Sequence, residues 1–325
     1  MTTRRSHGRR LWGLTIAVVA LATAIVLSVL VGSAQVGAAD VWRALTDPDG
    51  SVQDLVVLDL RIPRTVAALV VGVGLGVSGA LIQALTRNPL GDPGILGVDA
   101  GAALFVAIGV LLGASAPVHY LPFACAGALV VTALVYLIGS AGRGGPDPVR
   151  LTLAGVALAA VLTGITTAMM LLDPVSFAKL RGWNAGSFVE RGFDVIAPAL
   201  GFIIAGVVIA LLCARSLNAV ALGDELASAL GTRLATTRAL SVVAITLLAG
   251  AATAIAGPIG FVGLMVPHIA RWIVGPDQRW IVWYSILIAP TVLLVSDTIG
   301  RVILWPSEVP VGIVTAFVGA PVLIH

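Results

Sequence analysis

The chain is a succession of apolar runs, each close to the roughly 20 residues that an α-helix needs to cross the hydrocarbon core of a bilayer. They fall near 11–33, 64–85, 94–113, 118–140, 150–172, 194–214, 239–256, 258–274, 281–299 and 309–325, divided by charged residues or by glycine and proline. The expectation is an all-α, polytopic integral membrane protein with about ten transmembrane helices. Composition agrees, with 58% hydrophobic and 11% charged residues in 325, where a soluble domain carries about a quarter charged. An ordinary water-soluble fold is thereby excluded, and the mean hydropathy of +1.05 says the same.

Details of the runs set the topology. The eighth and tenth are short and interrupted by Pro258, Pro267, Pro310 and Pro321, which a bilayer tolerates only where protein or a polar cavity satisfies the freed backbone groups. The first follows Arg4, Arg5, Arg9 and Arg10, as a secretory leader would. It is too long for a leader and lacks a clear cleavage site, so it reads as a retained span. With the N-terminus in the cytoplasm, the inner segments hold twelve basic residues: Arg4, Arg5, Arg9, Arg10, Arg87, Arg143, Arg150, Arg215, Arg233, Arg238, Arg271 and Arg279. The outer segments hold seven, Arg43, Arg61, Arg64, Lys179, Arg181, Arg191 and Arg301, beside the acids Asp40, Asp47, Asp49, Asp54 and Asp59. That asymmetry favours both termini inside. The chain reads as one transmembrane unit over 1–325, with a cytoplasmic segment 1–10 and its longest cytoplasmic connection at 215–238. The outer connections 34–63 and 173–193 carry Trp42 and Trp183, which suit interfacial anchoring.

Chemistry is sparse. Cys125 and Cys213 lie in separate apolar runs with no metal-ligand spacing, and His7, His119, His268 and His325 are scattered. No nucleophile is paired with a base, so no catalytic residues, metal site or cofactor are expected. Gly72-Val-Gly-Leu-Gly76 lies within a span and lacks the strand and acid of a nucleotide fingerprint. Gly72/Gly76, Gly97/Gly101 and Gly109/Gly113 read instead as close-packing pairs. No P-loop is present, and the net charge of +3, carried almost wholly by scattered arginines, forms no nucleic-acid stripe. Ionisable residues within spans are functional by default, but Asp99, His268 and Asp297 each sit near a span end, where capping or snorkelling is the heavier reading. Within 215–238, Leu222-Gly-Asp-Glu-Leu-Ala-Ser-Ala-Leu-Gly231 predicts a short helix with acids in its first turn and a glycine stop, followed by a second helix capped by Thr232. It suits either a solvated turn or the docking of a partner.

Several stretches together carry a resemblance to a known family. They are Leu60-Arg-Ile-Pro-Arg64, Ser78 to Gln83, Thr86 to Gly97, Val149 to Ala160, Trp183-Asn-Ala-Gly-Ser187, Leu222 to Gly231, Gly257 to Arg271 and Pro310 to Pro321. In that order they resemble the FecCD-type permease subunits of iron-siderophore and vitamin B12 class ABC importers, the ferric-enterobactin permeases most of all. The resemblance implies a type II ABC importer permease fold in the bacterial cytoplasmic membrane. It implies as partners a second permease subunit, two cytoplasmic ATPase subunits and an external substrate-binding protein. It also implies that Arg61, Arg64 and Arg301 receive acids of the binding protein, and that Asp224, Glu225, Ala227, Leu230 and Gly231 belong to a coupling helix that enters the ATPase. Gln83 and Thr86 are pathway candidates that helix packing explains equally well. Relatives usually continue past their last helix into a basic tail, whereas this sequence stops at Val322-Leu-Ile-His325, so either span ten lacks that inside anchor or the sequence is trimmed. The expected cargo is a ferric siderophore. Alternatives are cobalamin or haem in the same machinery, or a proton-coupled transporter in which Asp99 or Asp297 titrates.

Overall fold

Proline and aspartate mark where the helices begin. In the computed structural model, Pro117, Pro148 and Pro174 each open a helix, a position where the missing N–H costs nothing. Asp147 and Asp277 accept from the backbone N–H two residues on, at 2.9 and 3.1 Å. The structure describes residues 2–34, 36–141 and 147–324, without the side chains of 2–7, 9, 175–177, 179, 181 and 324. Arg143 and His325, and the side chains of Arg4, Arg5, His7, Arg9, Lys179 and Arg181, therefore lie outside the described residues.

The described residues form α1 (Thr2–Leu30), α2 (Ala38–Thr46), α3 (Val52–Leu55), α4 (Ile62–Thr86), α5 (Val98–Leu111), α6 (Pro117–Ser140) and α7 (Pro148–Leu172). They continue as α8 (Pro174–Asn184), α9 (Phe193–Val220), α10 (Asp224–Ala229), α11 (Leu234–Ala256), α12 (Val262–Val274), α13 (Gln278–Val302) and α14 (Val311–Ile324). A π-helical turn, Val56–Arg61, joins α3 to α4. Seven helices are long and apolar enough to cross a membrane; α5, α12 and α14 are shorter apolar helices at the third, eighth and tenth expected runs. Shortness is thus shared by the third run, which loses its first turn to a 3-10 turn at Pro93–Leu96.

Helices α4 and α11 are buried along most of their length and pack on each other. Around them lie α9, α12 and α13 on one side and the α5–α6 pair on the other. Helices α1 and α7 are mostly exposed in the single chain. Small residues permit the closest crossings. A Cβ at Gly72 would lie 2.5 Å from Pro290 Cα, one at Gly76 2.5 Å from Ala289 Cβ, and one at Gly101 2.5 Å from the Gly127 oxygen. Gly109 packs on Phe123, but Gly113 sits past the end of α5 with open space around it, so the last of the expected pairs has only one packing member. A Cβ at Gly79 would overlap the Gly263 carbonyl oxygen, where α4 meets α12. Backbone cannot retreat as a flexible side chain does. Gly79→Val is therefore expected to lower the amount of folded permease several-fold, read as the monodisperse peak after detergent extraction, whereas Gly164→Val, with nothing within 4 Å, leaves it unchanged.

Candidate functional sites at the two ends of the bundle

One end gathers the termini of α1, α4 and α13. Helix α1 stops at Leu30, leaving carbonyls with no intrahelical donor. Arg61 supplies donors, with Nη1 to Val29 and Leu30 oxygens at 2.8 and 2.9 Å and Nη2 to the Ala34 oxygen at 2.9 Å. Arg301 adds Nη1 to the Ser28 and Val31 oxygens at 2.6 and 3.1 Å. Two cations at a helix C-terminus also oppose its dipole favourably. Both are buried, at 4% and 2% exposure.

Asp297 lies at the centre of this end. Its carboxylate accepts from Arg64 Nε at 2.9 Å and Nη2 at 2.8 Å, and from Arg301 Nε at 3.0 Å and Nη2 at 2.5 Å. Arg64 reaches outward as well, giving Nη1 to Glu308 at 2.6 Å, and Ser33 donates to the same carboxyl at 2.6 Å. Burial raises the Glu308 pKa, but the Ser33 and Arg64 hydrogen bonds outweigh it and hold the carboxyl below its ordinary value. Asp297 is thus neither a cap nor a snorkelling side chain, contrary to the heavier expectation for it. It joins α13 to α4 through the Arg64 fork and takes a second fork from Arg301 one turn on along α13. Of the three arginines singled out in the sequence, Arg64 alone sits at the edge of a cavity, of about 520 Å³, which Glu308 and Arg191 also line.

At the opposite end, α10 hangs from the bundle by Asp224. Its carboxylate is paired with Arg87, at the end of α4, and with Arg238 of α11 at 2.7 Å. Burial raises its pKa, yet hydrogen bonds from Arg238 and Arg87 overcome that and set it below the usual carboxylate range. Ala227 is buried against the rest of the chain, while Glu225 and Leu230 face outward. Leu226 and Leu230, one helical turn apart, are 57% and 66% exposed, and Leu222, in the turn before α10, is 60% exposed. Gly231 follows at φ +80° with its N–H on the Ser228 oxygen. Thr232 does not cap α11: the preceding residue of that helix is Arg233, without a side-chain cap, and the Thr232 N–H bonds the Ala227 oxygen instead.

In the last turn of α4, beside this same end, Gln83 is buried and bridges α4 to α12, donating Nε2 to the Leu264 oxygen at 2.9 Å and accepting from Arg271 at 3.0 Å. Thr86 bonds the Ile82 oxygen one turn back. Asp99 accepts from Thr253 of α11 at 2.8 Å. His268 meets Trp272 edge to face, centroids 4.8 Å apart.

The order and spacing of these features match the FecCD transport family over residues 20–325. The chain belongs to the FecCD transport family. Among relatives of the FecCD chain, the ferric enterobactin transport system permease protein FepD of Escherichia coli (strain K12) is 48% identical, the match covering 94% of this chain and 91% of FepD. The probable siderophore transport system permease protein YfiZ of Bacillus subtilis (strain 168) is 36% identical over 94% of this chain and 92% of its own. A solved inward-facing ABC transporter described as of metal-chelate type superposes with a TM-score of 0.83 at 28% identity, covering 96% of both chains. This FecCD protein is accordingly a membrane-spanning permease subunit of an ABC transporter, with the permease fold that the resemblance implied. The proton-coupled alternative is not favoured, and Asp297, one of its two candidates, is held in two ion pairs.

Two FecCD residues at the sites escaped the sequence reading. Glu308 and Ser33 carry no motif, and contact Arg64 only through folding. Leu226 and Leu230 are legible as one turn apart, but only the fold shows that both, and Leu222 before them, are uncovered. Trp183, expected at the membrane interface beside Trp42, is instead 2% exposed, because the turn after α8 is drawn under the ends of α11 and α14.

Proposed function

We propose that this permease carries a ferric siderophore inward across the bacterial cytoplasmic membrane, with both termini in the cytoplasm. The observation that carries the reading is the 48% identity to a ferric enterobactin permease along nearly the whole chain. Its partners are a second permease subunit, two ATPase subunits and an external binding protein. ATP binding and hydrolysis shift the permease pair between two arrangements, as rigid-body alternating access requires. The chelate keeps its iron, so the permease needs no iron ligands of its own.

The end built on Arg61, Arg64 and Arg301 is proposed to receive the binding protein, with Arg64 at its reachable edge and the other two fixing it from beneath. Guanidinium forks there steer acidic partners and fix their register. Asp224, Glu225, Ala227, Leu230 and Gly231 are proposed as the coupling region toward the ATPase, with Asp224 and Ala227 anchoring and Glu225 and Leu230 touching. Gln83 and Thr86 are proposed to serve the pathway by holding α4 against α12 and by shaping the end of α4. A haem cargo has one supporting observation, the 35% identity to the hemin transport system permease protein HmuU of Yersinia pestis over 81% of this chain.

Uptake of a panel of radiolabelled ferric chelates and haemin by vesicles holding the whole complex tests the assignment. Accumulation of a catecholate chelate that needs both ATP and binding protein is the expected result, and accumulation under a pH gradient alone overturns it. In the same vesicles Arg64→Met, which leaves Asp297 paired with Arg301, is expected to weaken binding-protein docking by about tenfold, the worth of one charge-assisted contact of ~1.4 kcal/mol. Unchanged docking and uptake remove Arg64 from the docking edge.

A further inference from the structure

The Trp183-Asn-Ala-Gly-Ser187 stretch matched the family but acquired no task, and its surroundings supply one. It takes in the last two residues of α8 and the turn after it, and is clamped in place: Ser187 N–H bonds the Ala256 oxygen at 2.8 Å, and Gly312 N–H bonds the Gly186 oxygen at 3.1 Å. A Cβ at Gly257 would overlap the Trp183 carbonyl oxygen, so the turn lies directly on the end of α11. Beside it opens a cavity of about 330 Å³, lined by Tyr120, Trp183, Ser187, Glu190 and Arg191 among others. Two of these are nine-tenths or more buried, Trp183 at 2% and Arg191 at 8% exposure. Among the described residues, Trp183 Nε1 and Arg191 Nε have no hydrogen-bond partner.

That is unlike the three arginines around Asp297 and the end of α1. Arg61, Arg64 and Arg301 are each satisfied by acceptors of this chain. A buried N–H without an acceptor is costly and calls for one. Arg191 also lines the adjoining cavity of about 520 Å³, across from Arg64 and Glu308. The two unpartnered groups are both donors, and a guanidinium edge presents N–H groups in the planar spacing of a two-oxygen anion. Glu190, the acid at this place, is exposed; its charge acts on Arg191 through space, but it leaves the buried Arg191 Nε without an acceptor.

We propose that the cavity between Trp183 and Arg191 is an oxyanion subsite, taking a planar two-oxygen anionic group. The inference rests on the importer reading, in which such a group comes from an acidic side chain of the docked binding protein or from the chelate's own carboxylate or catecholate.

Arginine labelling of the wild-type complex in nanodiscs, ATPase present, tests the site without any variant. Phenylglyoxal modification of Arg191 is followed by mass spectrometry, with exposed Arg279 at the far end as reference. Chelate-free binding protein and ferric tris(2,3-dihydroxybenzoate) are the two probes. At least one is expected to slow Arg191 labelling fivefold or more while Arg279 is unchanged. Protection by the binding protein assigns the anion to a protein carboxylate, and protection by the ferric catecholate assigns it to the chelate. Protection by neither, or no labelling of Arg191 in the free complex, overturns the subsite. Arg191→Gln, where it assembles normally, is expected to weaken the protecting probe about tenfold, and unchanged affinity counts equally against the site. Normal ATP-driven uptake beside an unprotected Arg191 sinks the subsite alone; absence of uptake of every chelate sinks the importer reading and this inference with it.

Discussion

Asp297→Ala is expected to cost most of the folded permease. The carboxylate is 1% exposed and is the shared acceptor of Arg64 and Arg301. Deleting it leaves two guanidiniums facing each other in a buried site, one of them 2% exposed. Removing one partner of a buried pair costs about 3–5 kcal/mol, because the remaining charge loses its compensation. That compares with total stabilities of about 5–15 kcal/mol, so the thermal transition of the extracted protein should fall steeply and its membrane level with it. Glu308→Ala is the contrast. Glu308 is 25% exposed and Arg64 keeps Asp297 without it, so the loss should be about 1 kcal/mol or less. A double variant, Asp297→Ala with Arg301→Met, removes one stranded charge and should recover part of the stability lost by the single change. Size-exclusion thermal scans of the four proteins decide it; equal midpoints for Asp297→Ala and Glu308→Ala would refute the central place given to Asp297.

The network at Asp297 also marks where sequence reasoning ran out. Apolar length located the spans to within a few residues, because backbone satisfaction in lipid leaves helices little freedom. The helix starts near 118 and 150 and the stop at Gly231 were equally legible, since capping is local chemistry. The short third helix was not: Pro93 was visible, but its consequence depends on how α5 seats beside α6 and α7. Asp297 and Arg301 are one turn apart and could have been paired from spacing alone. Arg64 lies 233 residues away from Asp297 in sequence, so only the fold brings the third partner in. Burial was the other hidden variable. Trp183 and Trp42 carry the same side chain in similar connections, yet one is 2% and the other 70% exposed. Arg191 shared the fate of Trp183: the sequence counted it as one more outer charge, and only the cavity beside it sets it apart from its neighbours.

At the other end, Leu226→Glu with Leu230→Glu is expected to detach the ATPase while leaving the permease folded. Both side chains are more than half exposed in the single chain, so placing carboxylates there costs the fold little. In the assembled transporter, each leucine buried in a partner's groove is worth about 1.5–3 kcal/mol, and the two together about 100-fold or more in affinity. Co-purification of the ATPase with tagged permease should drop accordingly, and ATP-driven uptake should vanish. Asp224→Ala should act differently, through the anchor instead of the contact face. The folded Asp224 carboxyl sits below its ordinary value because the Arg238 and Arg87 hydrogen bonds outweigh burial. Its stabilising pairing is therefore fully present above the ordinary carboxylate range and is lost as pH falls through the lowered value. Wild-type coupling should stay flat from pH 6 to 8 as far as this anchor is concerned, whereas Asp224→Ala lowers it across the whole interval by freeing α10 to reorient. Full ATPase retention and uptake in the double leucine variant would mean that α10 is only a solvated turn, and would move the search for the coupling surface to another segment at that end, the stretch from Arg87 to Gly97 first.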